Sequence, residues 1–147
     1  MIRIGLLGCG RIGQVHARAI KDLPDATVTA VSDAMAPAAE ALASKTGAEV
    51  RDTDAIIESP DIDAVVVGTP TTTHYDIIHK AARAGKSIFC EKPVDLSSDR
   101  IRDCIKVVEE TNVPFFTAFN RRFDPNFAAL QTRIAAGDIG QVELVTI

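Results

Sequence analysis

The stretch Gly8-Cys9-Gly10-Arg11-Ile12-Gly13 limits the fold of this chain more than any other part of the sequence. It follows the short apolar run 2–7 and opens a segment with helical spacing. In a G-x-G-x-x-G loop, the first glycine permits a tight turn, the second lets phosphate approach the backbone, and the third lets the helix pack on the strand. The free N–H groups of the helix N-terminus attract phosphate. The pattern therefore predicts a site for the diphosphate of a dinucleotide.

Asp33 supports this prediction, because it stands at the end of the second apolar run, 28–32, about 20 residues after the loop. A carboxylate there accepts hydrogen bonds from ribose hydroxyls and repels a 2′-phosphate, which favours NAD over NADP. The alternative interpretation is that 8–13 is only a tight loop and that Asp33 is an exposed strand end.

Apolar spacing predicts strands alternating with helices along most of the chain. The predicted strands are 2–7, 28–32, 48–50, 63–67, 87–90 and 113–118. Predicted helices begin after Gly10, at 36, at His74, after Ser97 and at Pro125, and 52–60 is a polar connection with about one helical turn. This alternation predicts an α/β fold, a doubly wound parallel sheet with strand order 3-2-1-4-5-6.

Further predictions concern the helix faces and the last residues. The residues predicted to form the buried helix faces are Ile12, Val15, His16, Ala19, Ile20, Leu23; Ile77, Ile78, Ala81, Ala82; and Ile101, Cys104, Ile105, Val108. A helix capped by Asp124 carries Phe127, Leu130 and Ile134, and a last strand is expected at 142–147.

Composition excludes several classes of protein. A chain of 147 residues with 46% hydrophobic and 24% charged residues has the content of one ordinary folded domain. Its net charge of −4 lacks the basic patch of a nucleic-acid-binding protein, and no apolar run is long enough to span a membrane. Three cysteines without a C-x-x-C predict reduced thiols, a cytoplasmic location and no metal site. Cys9, inside the glycine loop, is interpreted as a space-filling thiol rather than a reactive one.

The loop 68–74 follows the fourth strand and is expected beside the glycine loop, at the carboxyl edge of the sheet. Thr69 and Pro70 are predicted to flank the cofactor, although the threonines also suit turns and helix caps. For His74, contact with the cofactor and simple helix capping remain alternatives. His16 is predicted to be a core histidine with a satisfied hydrogen bond, and His79 to lie on the surface or against the sheet.

Glu91-Lys92-Pro93 follows the fifth strand and reaches the same edge. A lysine beside the cofactor can donate a hydrogen bond to the oxygen of a carbinol or carbonyl and stabilise alkoxide character during hydride transfer. An exposed lysine in a turn is the alternative. The residues predicted to bind the cofactor are Gly8, Gly10, Arg11, Ile12, Gly13, Asp33, Thr69, Pro70, His74, Glu91 and Lys92.

These motifs together resemble the Gfo/Idh/MocA family of nicotinamide-dependent oxidoreductases, and the segment 119–124 is most similar to that of inositol 2-dehydrogenases. The resemblance implies a Rossmann fold and the oxidation of a cyclic polyol hydroxyl, myo-inositol to 2-keto-inositol, with hydride passing to NAD. It also implies that Lys92 is catalytic, that Glu91 supports it, and that Asn120 and Arg121 line the substrate side.

Members of this family are longer and carry a second domain, which supplies an aspartate–histidine pair and often builds a tetramer. The resemblance thus implies an NAD-binding domain at 1–119 and the start of a truncated substrate and oligomerisation domain at 120–147. We expect the chain to bind NAD but to be inactive by itself. Another sugar or sugar derivative as substrate, and a non-enzymatic dinucleotide-binding module, remain the alternatives.

Overall fold

The computed structural model describes residues 1–146, which form a six-stranded parallel sheet with helices on both faces. The strands are β1 (Ile2–Leu7), β2 (Ala26–Ser32), β3 (Glu49–Val50), β4 (Ala64–Val67), β5 (Ser87–Cys90) and β6 (Phe115–Thr117). The helices are α1 (Arg11–Lys21), α2 (Ala36–Thr46), α3 (Thr53–Glu58), α4 (Thr71–Arg83), α5 (Ser98–Thr111) and α6 (Pro125–Ala135), with a 3₁₀ turn at Asn120–Phe123. The order β3-β2-β1-β4-β5-β6 confirms the predicted fold class.

Alternating side chains of the central strands build two separate core layers. Leu6 and Val66 point toward α1 and α2, whereas Leu7, Val65 and Val67 pack on the opposite face with α3, α4 and α5. Both faces of β1 and β4 are therefore buried, which explains why these strands are continuously apolar. The point at which β1 neighbours both β2 and β4 is where strand order reverses, and α/β proteins bind ligands there.

The α3 helix is more important to the core than the predicted polar connection with one turn. Ile56 and Ile57 are fully buried, and Ile56 lies directly against Gly5 of β1, where an added Cβ would stand 2.2 Å from the Ile56 Cγ2. Acidic and polar residues flank this short apolar pair, so the sequence pattern did not predict a buried helix here.

Two of the predicted buried helix faces are partly wrong. Val15 and Leu23 of the first face are 40% and 53% exposed, Ala19 is exposed as well, and α1 instead buries Gly13 and Ala17 close to the sheet. In α5, Ile105 is exposed and Val107 is buried in its place. The small residues Gly13 and Ala17 let α1 pack close to the sheet, so the helix buries their side rather than the side of the larger Val15.

The ends of α5 and α6 are formed differently. Ser97 stands at the N-cap of α5 without a side-chain capping bond, and the carboxylate of Asp95 instead accepts the Ser97 N–H at 2.9 Å. Asp124 does cap α6, since it accepts the N–H groups of Asn126 and Phe127.

The strand predicted at 142–147 is wrong for 142–146, which form no hydrogen-bonded ladder in the structure, and Ile147 lies outside the described residues. Apolar alternation alone does not make a strand, because each strand needs a neighbour that completes its backbone hydrogen bonds.

Candidate functional site

The glycine loop between β1 and α1 is tightly packed on one side. Gly8 has φ +95°, a left-handed conformation that favours glycine, and a Cβ there would lie 2.5 Å from the Gly68 carbonyl oxygen. A Cβ on Gly13 would stand 1.9 Å from the Gly8 carbonyl oxygen. Backbone atoms on both sides thus exclude side chains at Gly8 and Gly13, which holds α1 close to the end of β1.

The same loop is open on its outer side. Gly10 is the N-cap of α1, and a Cβ there would meet no atom within 4 Å. Within the described residues, no side chain caps α1 and no acidic residue occupies its first turn. The first N–H groups of α1 are therefore free to bind an anion, and the helix dipole favours one.

Asp33 is fixed by two backbone groups at the end of β2. One carboxylate oxygen accepts the Cys9 N–H at 2.6 Å, and the other accepts the Met35 N–H at 2.8 Å. A carboxylate has about four lone-pair sites, so each oxygen can still accept a hydrogen bond from a ribose hydroxyl. This arrangement connects the predicted ribose ligand directly to the glycine loop.

The Cys9 thiol is buried beneath this loop. Burial, together with the nearby Asp33 carboxylate, raises the pKa of Cys9 to about 11. Desolvation outweighs the backbone amides that could have stabilised a thiolate. The structure therefore supports the space-filling interpretation of Cys9.

A crevice of about 1220 Å³ extends along the carboxyl edge of the sheet from the glycine loop. This volume exceeds the roughly 300–1,000 Å³ that is usual for small-molecule sites. Its lining includes Gly8, Gly10, Arg11, Ile12, Asp33, Met35, Thr53, Asp54, Thr69 and Pro70. Most of the predicted cofactor ligands thus share one surface, but Gly13, His74, Glu91 and Lys92 are outside this lining.

The threonines after β4 stabilise their own turn. The Thr73 hydroxyl lies 2.8 Å from both the Thr69 hydroxyl and the Pro70 carbonyl oxygen, and Pro70 is the N-cap of α4. The turn interpretation of these residues is therefore correct, and it leaves Thr69 and Pro70 on the wall of the crevice.

His74 is 1% exposed and belongs to the protein interior. Its Nδ1 lies 3.0 Å from the Pro93 carbonyl oxygen, and its Nε2 lies 2.9 Å from the Thr69 carbonyl oxygen. Both ring nitrogens therefore face other loops of the protein. The side chain links two segments, which neither of the two sequence interpretations anticipated.

Lys92 lies at the exposed end of β5, next to Glu91, and the Lys92–Pro93 peptide bond is cis. The Lys92 ammonium makes no hydrogen bond or ion pair to any residue within 1–146 and is free to contact a ligand. A depression of about 530 Å³ brings Lys92 together with Asn120 and Arg121. The predicted catalytic residue Lys92 thus lines one surface with the two residues predicted for the substrate side.

His16 has a hydrogen-bond partner that the sequence did not indicate. Its Nε2 donates to the Glu91 carboxylate at 2.8 Å, across 75 positions of the chain, and its ring packs edge-on against Phe89. The predicted hydrogen bond of His16 is confirmed, but the residue is partly buried rather than part of the core. Only the fold shows that the satisfying group belongs to the Glu-Lys-Pro segment.

Two further observations concern other kinds of site. Residues 1–146 contain no cluster of three or more histidine, cysteine or acidic side chains placed to hold a metal ion. None of the helices in this range is long and apolar enough to cross a membrane.

The sequence and structure match those of known proteins. Residues 2–119 match the GFO_IDH_MocA family, described as an oxidoreductase family with an NAD-binding Rossmann fold. The chain is 56% identical over 146 residues to inositol 2-dehydrogenase of Rhizobium meliloti (strain 1021), covering 99% of this chain and 44% of that protein. It is 42% identical over 143 residues to scyllo-inositol 2-dehydrogenase (NAD(+)) of Bacillus subtilis (strain 168), covering 95% of this chain and 42% of that protein.

The fold also matches that of a solved structure. The scyllo-inositol dehydrogenase from Lactobacillus casei, crystallised with bound NAD(H) and scyllo-inositol, superposes with a TM-score of 0.90 at 31% identity. The superposition covers 96% of this chain and 43% of that one. The chain therefore spans less than half the length of the relatives it matches.

Proposed function

The chain belongs to the Gfo/Idh/MocA family of NAD-binding oxidoreductases, and from this premise we propose that it is the cofactor-binding part of an inositol 2-dehydrogenase. The proposed reaction oxidises a hydroxyl of myo-inositol to a ketone with transfer of hydride to NAD. The observation that carries the proposal is the shared crevice, in which the free N-terminus of α1 and the fixed carboxylate of Asp33 face the same space.

The residues of the crevice fit the parts of a dinucleotide. The open face at Gly10 and the free N–H groups of α1 suit a diphosphate, and the Asp33 carboxylate suits a ribose diol. Thr69 and Pro70 bound the crevice on the β4 side. When bound, NAD supplies the hydride acceptor that none of the twenty amino acids provides.

Lys92 is proposed to act on the substrate oxygen. Its free ammonium can donate a hydrogen bond to the reacting hydroxyl and stabilise negative charge that develops on that oxygen. Asn120 and Arg121, on the same depression, are proposed to orient the polyol. His16 and His74 are both engaged with other groups of the protein, and His79 lies beside Asp103 rather than at the Lys92 depression. We therefore propose that the proton acceptor comes from residues outside this chain.

The domain boundary follows from the same proposal. We assign 1–119 to the NAD-binding domain and 120–147 to the start of a substrate and oligomerisation domain of a homotetrameric parent enzyme. The exposed apolar residues of 119–145, among them Phe123 and Leu144, support a surface that is covered in a longer protein. Three buried free cysteines support the proposed cytoplasmic location.

Titration of the chain with NADH, followed by nicotinamide fluorescence, tests cofactor binding. We expect saturable binding below millimolar NADH and weaker binding of NADPH, because Asp33 repels a 2′-phosphate. Gly10→Ala places a methyl group where the diphosphate approaches, so we expect a loss of affinity of at least about tenfold at unchanged thermal stability. Absence of NADH binding, or equal affinity in the Gly10→Ala variant, contradicts the proposed site.

The substrate is tested with the full-length gene product. We expect NADH formation with myo-inositol, and a fall in kcat/KM of at least about a hundredfold in Lys92→Met, which removes the charge that stabilises the developing alkoxide. Activity of Lys92→Met equal to that of the unsubstituted enzyme contradicts the catalytic assignment of Lys92.

A second candidate is scyllo-inositol, because the relative from Bacillus subtilis is named for that isomer. The two isomers differ in the orientation of one hydroxyl, and the same Lys92 can serve either. A panel of inositol isomers and sugars, compared by kcat/KM, decides between them.

A further inference from the structure

The segment Glu91-Lys92-Pro93 is held from both sides. One flank of Lys92 contacts a histidine from α1, and the other contacts a histidine from α4. These two helices begin at the two loops that line the cofactor crevice, and each histidine lies within the first two turns of its helix. The two contacts therefore connect the Lys92 segment to α1 and to α4, the helices that follow the two loops of the crevice.

On the first flank, each oxygen of the Glu91 carboxylate has a partner. One oxygen accepts from His16 Nε2 at 2.8 Å, and the other accepts the Lys92 N–H at 3.2 Å. The side chains of His16 and Glu91 are only 17% and 16% exposed, so solvent competes weakly for this pair. Glu91 thereby transmits the position of α1 to the backbone of Lys92.

On the second flank, the backbone of Pro93 faces the buried ring of His74. The ring spans the distance between the Pro93 and Thr69 carbonyl oxygens, with contacts of 3.0 and 2.9 Å. Because the ring is 1% exposed, water cannot replace these contacts without opening the fold. Thr69 itself lines the crevice.

We propose that His16 and His74 are positioning residues, which fix the Lys92 segment relative to the glycine loop and the Thr69 turn. The inference rests on the proposed function, since it gives Lys92 a place defined relative to a bound nucleotide. It assigns the two histidines to the catalytic geometry without contact with substrate or cofactor. Lys92 has no side-chain partner of its own within 1–146, so its neighbours 91 and 93 carry the orientation.

Amide hydrogen exchange of the 147-residue chain, measured by NMR, tests the first flank. In His16→Phe the Glu91 carboxylate loses its donor, so we expect the Glu91 and Lys92 amides to exchange about tenfold faster, as for the loss of a charged hydrogen bond. His16→Gln keeps an N–H near the position of Nε2 and should restore most of the protection. The central strands β1 and β4 should exchange at the unsubstituted rate in both variants.

The second flank is tested with two changes at His74. Asn keeps a donor near the position of Nδ1, whereas Leu keeps none, so we expect faster exchange at Lys92 in His74→Leu than in His74→Asn. If His74→Leu does not fold, the comparison of His74→Asn with the unsubstituted chain still tests this contact, with at most a threefold change expected at Lys92.

The matched control is His79→Gln, because His79 is also a nearly buried histidine of α4 but lies next to Asp103 rather than the Lys92 segment. Uniformly faster exchange throughout the sheet, or equal exchange at Lys92 in His16→Phe and His79→Gln, overturns the inference. NADH titration of the same samples separates the two proposals. Local loosening without NADH binding in the unsubstituted chain overturns the proposed function and leaves a purely structural pair of contacts.

Discussion

The crevice beside the glycine loop and the segment 119–146 differ in how completely each is packed. Within the glycine loop Gly13 lies against the backbone of Gly8, Gly8 lies against the backbone of Gly68, and Asp33 is held by two N–H groups. In contrast, Phe123 is 69% and Leu144 is 84% exposed, and no residue of this segment is fully buried. The crevice is therefore preformed by residues 1–118, whereas Asn120 and Arg121 stand on a support with little core of its own.

This difference suggests that nucleotide binding and substrate recognition depend on different regions of the molecule. A preformed site pays little conformational entropy on binding, so the chain is suited to hold a nucleotide by itself. Substrate recognition requires groups fixed within a fraction of an ångström, which an exposed segment does not supply. The predictions below test how tightly the crevice and the segment 119–146 are packed.

The largest effect is expected for Gly13→Ala. The new Cβ would lie 1.9 Å from a backbone oxygen, which cannot move aside as a side chain does. We expect a loss of more than about 4 kcal/mol in the free energy of unfolding, measured by urea denaturation. Gly10→Ala, in the same loop but facing open space, is the control and should unfold like the unsubstituted chain. Equal stability of the two variants would contradict the tight packing described for this loop.

A smaller effect is expected from removing apolar side chains in each region. Leu7→Ala leaves a cavity in a fully buried position and should cost about 3 kcal/mol. Phe123→Ala removes a larger but mostly exposed ring and should cost less than about 0.5 kcal/mol. Urea denaturation of both variants measures the contrast, and a cost above 2 kcal/mol for Phe123→Ala, on the scale of core residues, would show that 119–146 is packed after all.

Thiol labelling changes reaction rates rather than the stability of the fold, and it compares the two regions directly. Burial raises the pKa of Cys9 and Cys104 to about 11 and that of Cys90 to about 12. At pH 8 we expect a cysteine introduced by Leu144→Cys to react with iodoacetamide at least about a hundredfold faster than these three. Labelling of the native thiols should rise as pH increases toward their pKa values, because only the thiolate reacts. Mass spectrometry of the labelled peptides measures each site, and fast labelling of Cys9 at pH 8 would reinstate the reactive interpretation.

Much of the fold was predictable because local signals agreed with one another. The glycine loop, the continuously apolar strand β4 and the helix α4 each combine periodicity with a turn residue, although α4 begins at Thr71 rather than at the predicted His74. Such agreement between levels is what specifies a strand order. The buried face of α1 was less predictable, since backbone closeness at Gly13 and Ala17 decided its rotation rather than the larger Val15 and Leu23.

The sequence predicted which residues belong to the site better than it predicted which residues contact one another. Motifs located Asp33 and Lys92, but not that Asp33 also binds the Cys9 N–H. The partners of His16 and His74 lie 75 and 19 positions away along the chain. Contacts of this kind depend on the docking of separate elements, which periodicity does not encode. The expected strand at 142–147 failed over 142–146 for the same reason.

The two backbone contacts of Asp33 have a consequence for attempts to redesign coenzyme preference. Replacing this carboxylate with a neutral residue would admit a 2′-phosphate, but it would also deprive the Cys9 and Met35 amides of an acceptor. The two amides bind different carboxylate oxygens, and asparagine replaces one of these oxygens with an NH₂ donor, so in the same side-chain position it leaves one amide without an acceptor. A variant engineered toward NADP therefore requires a compensating substitution that supplies the second acceptor, so that single-site exchange trades selectivity against the integrity of the loop.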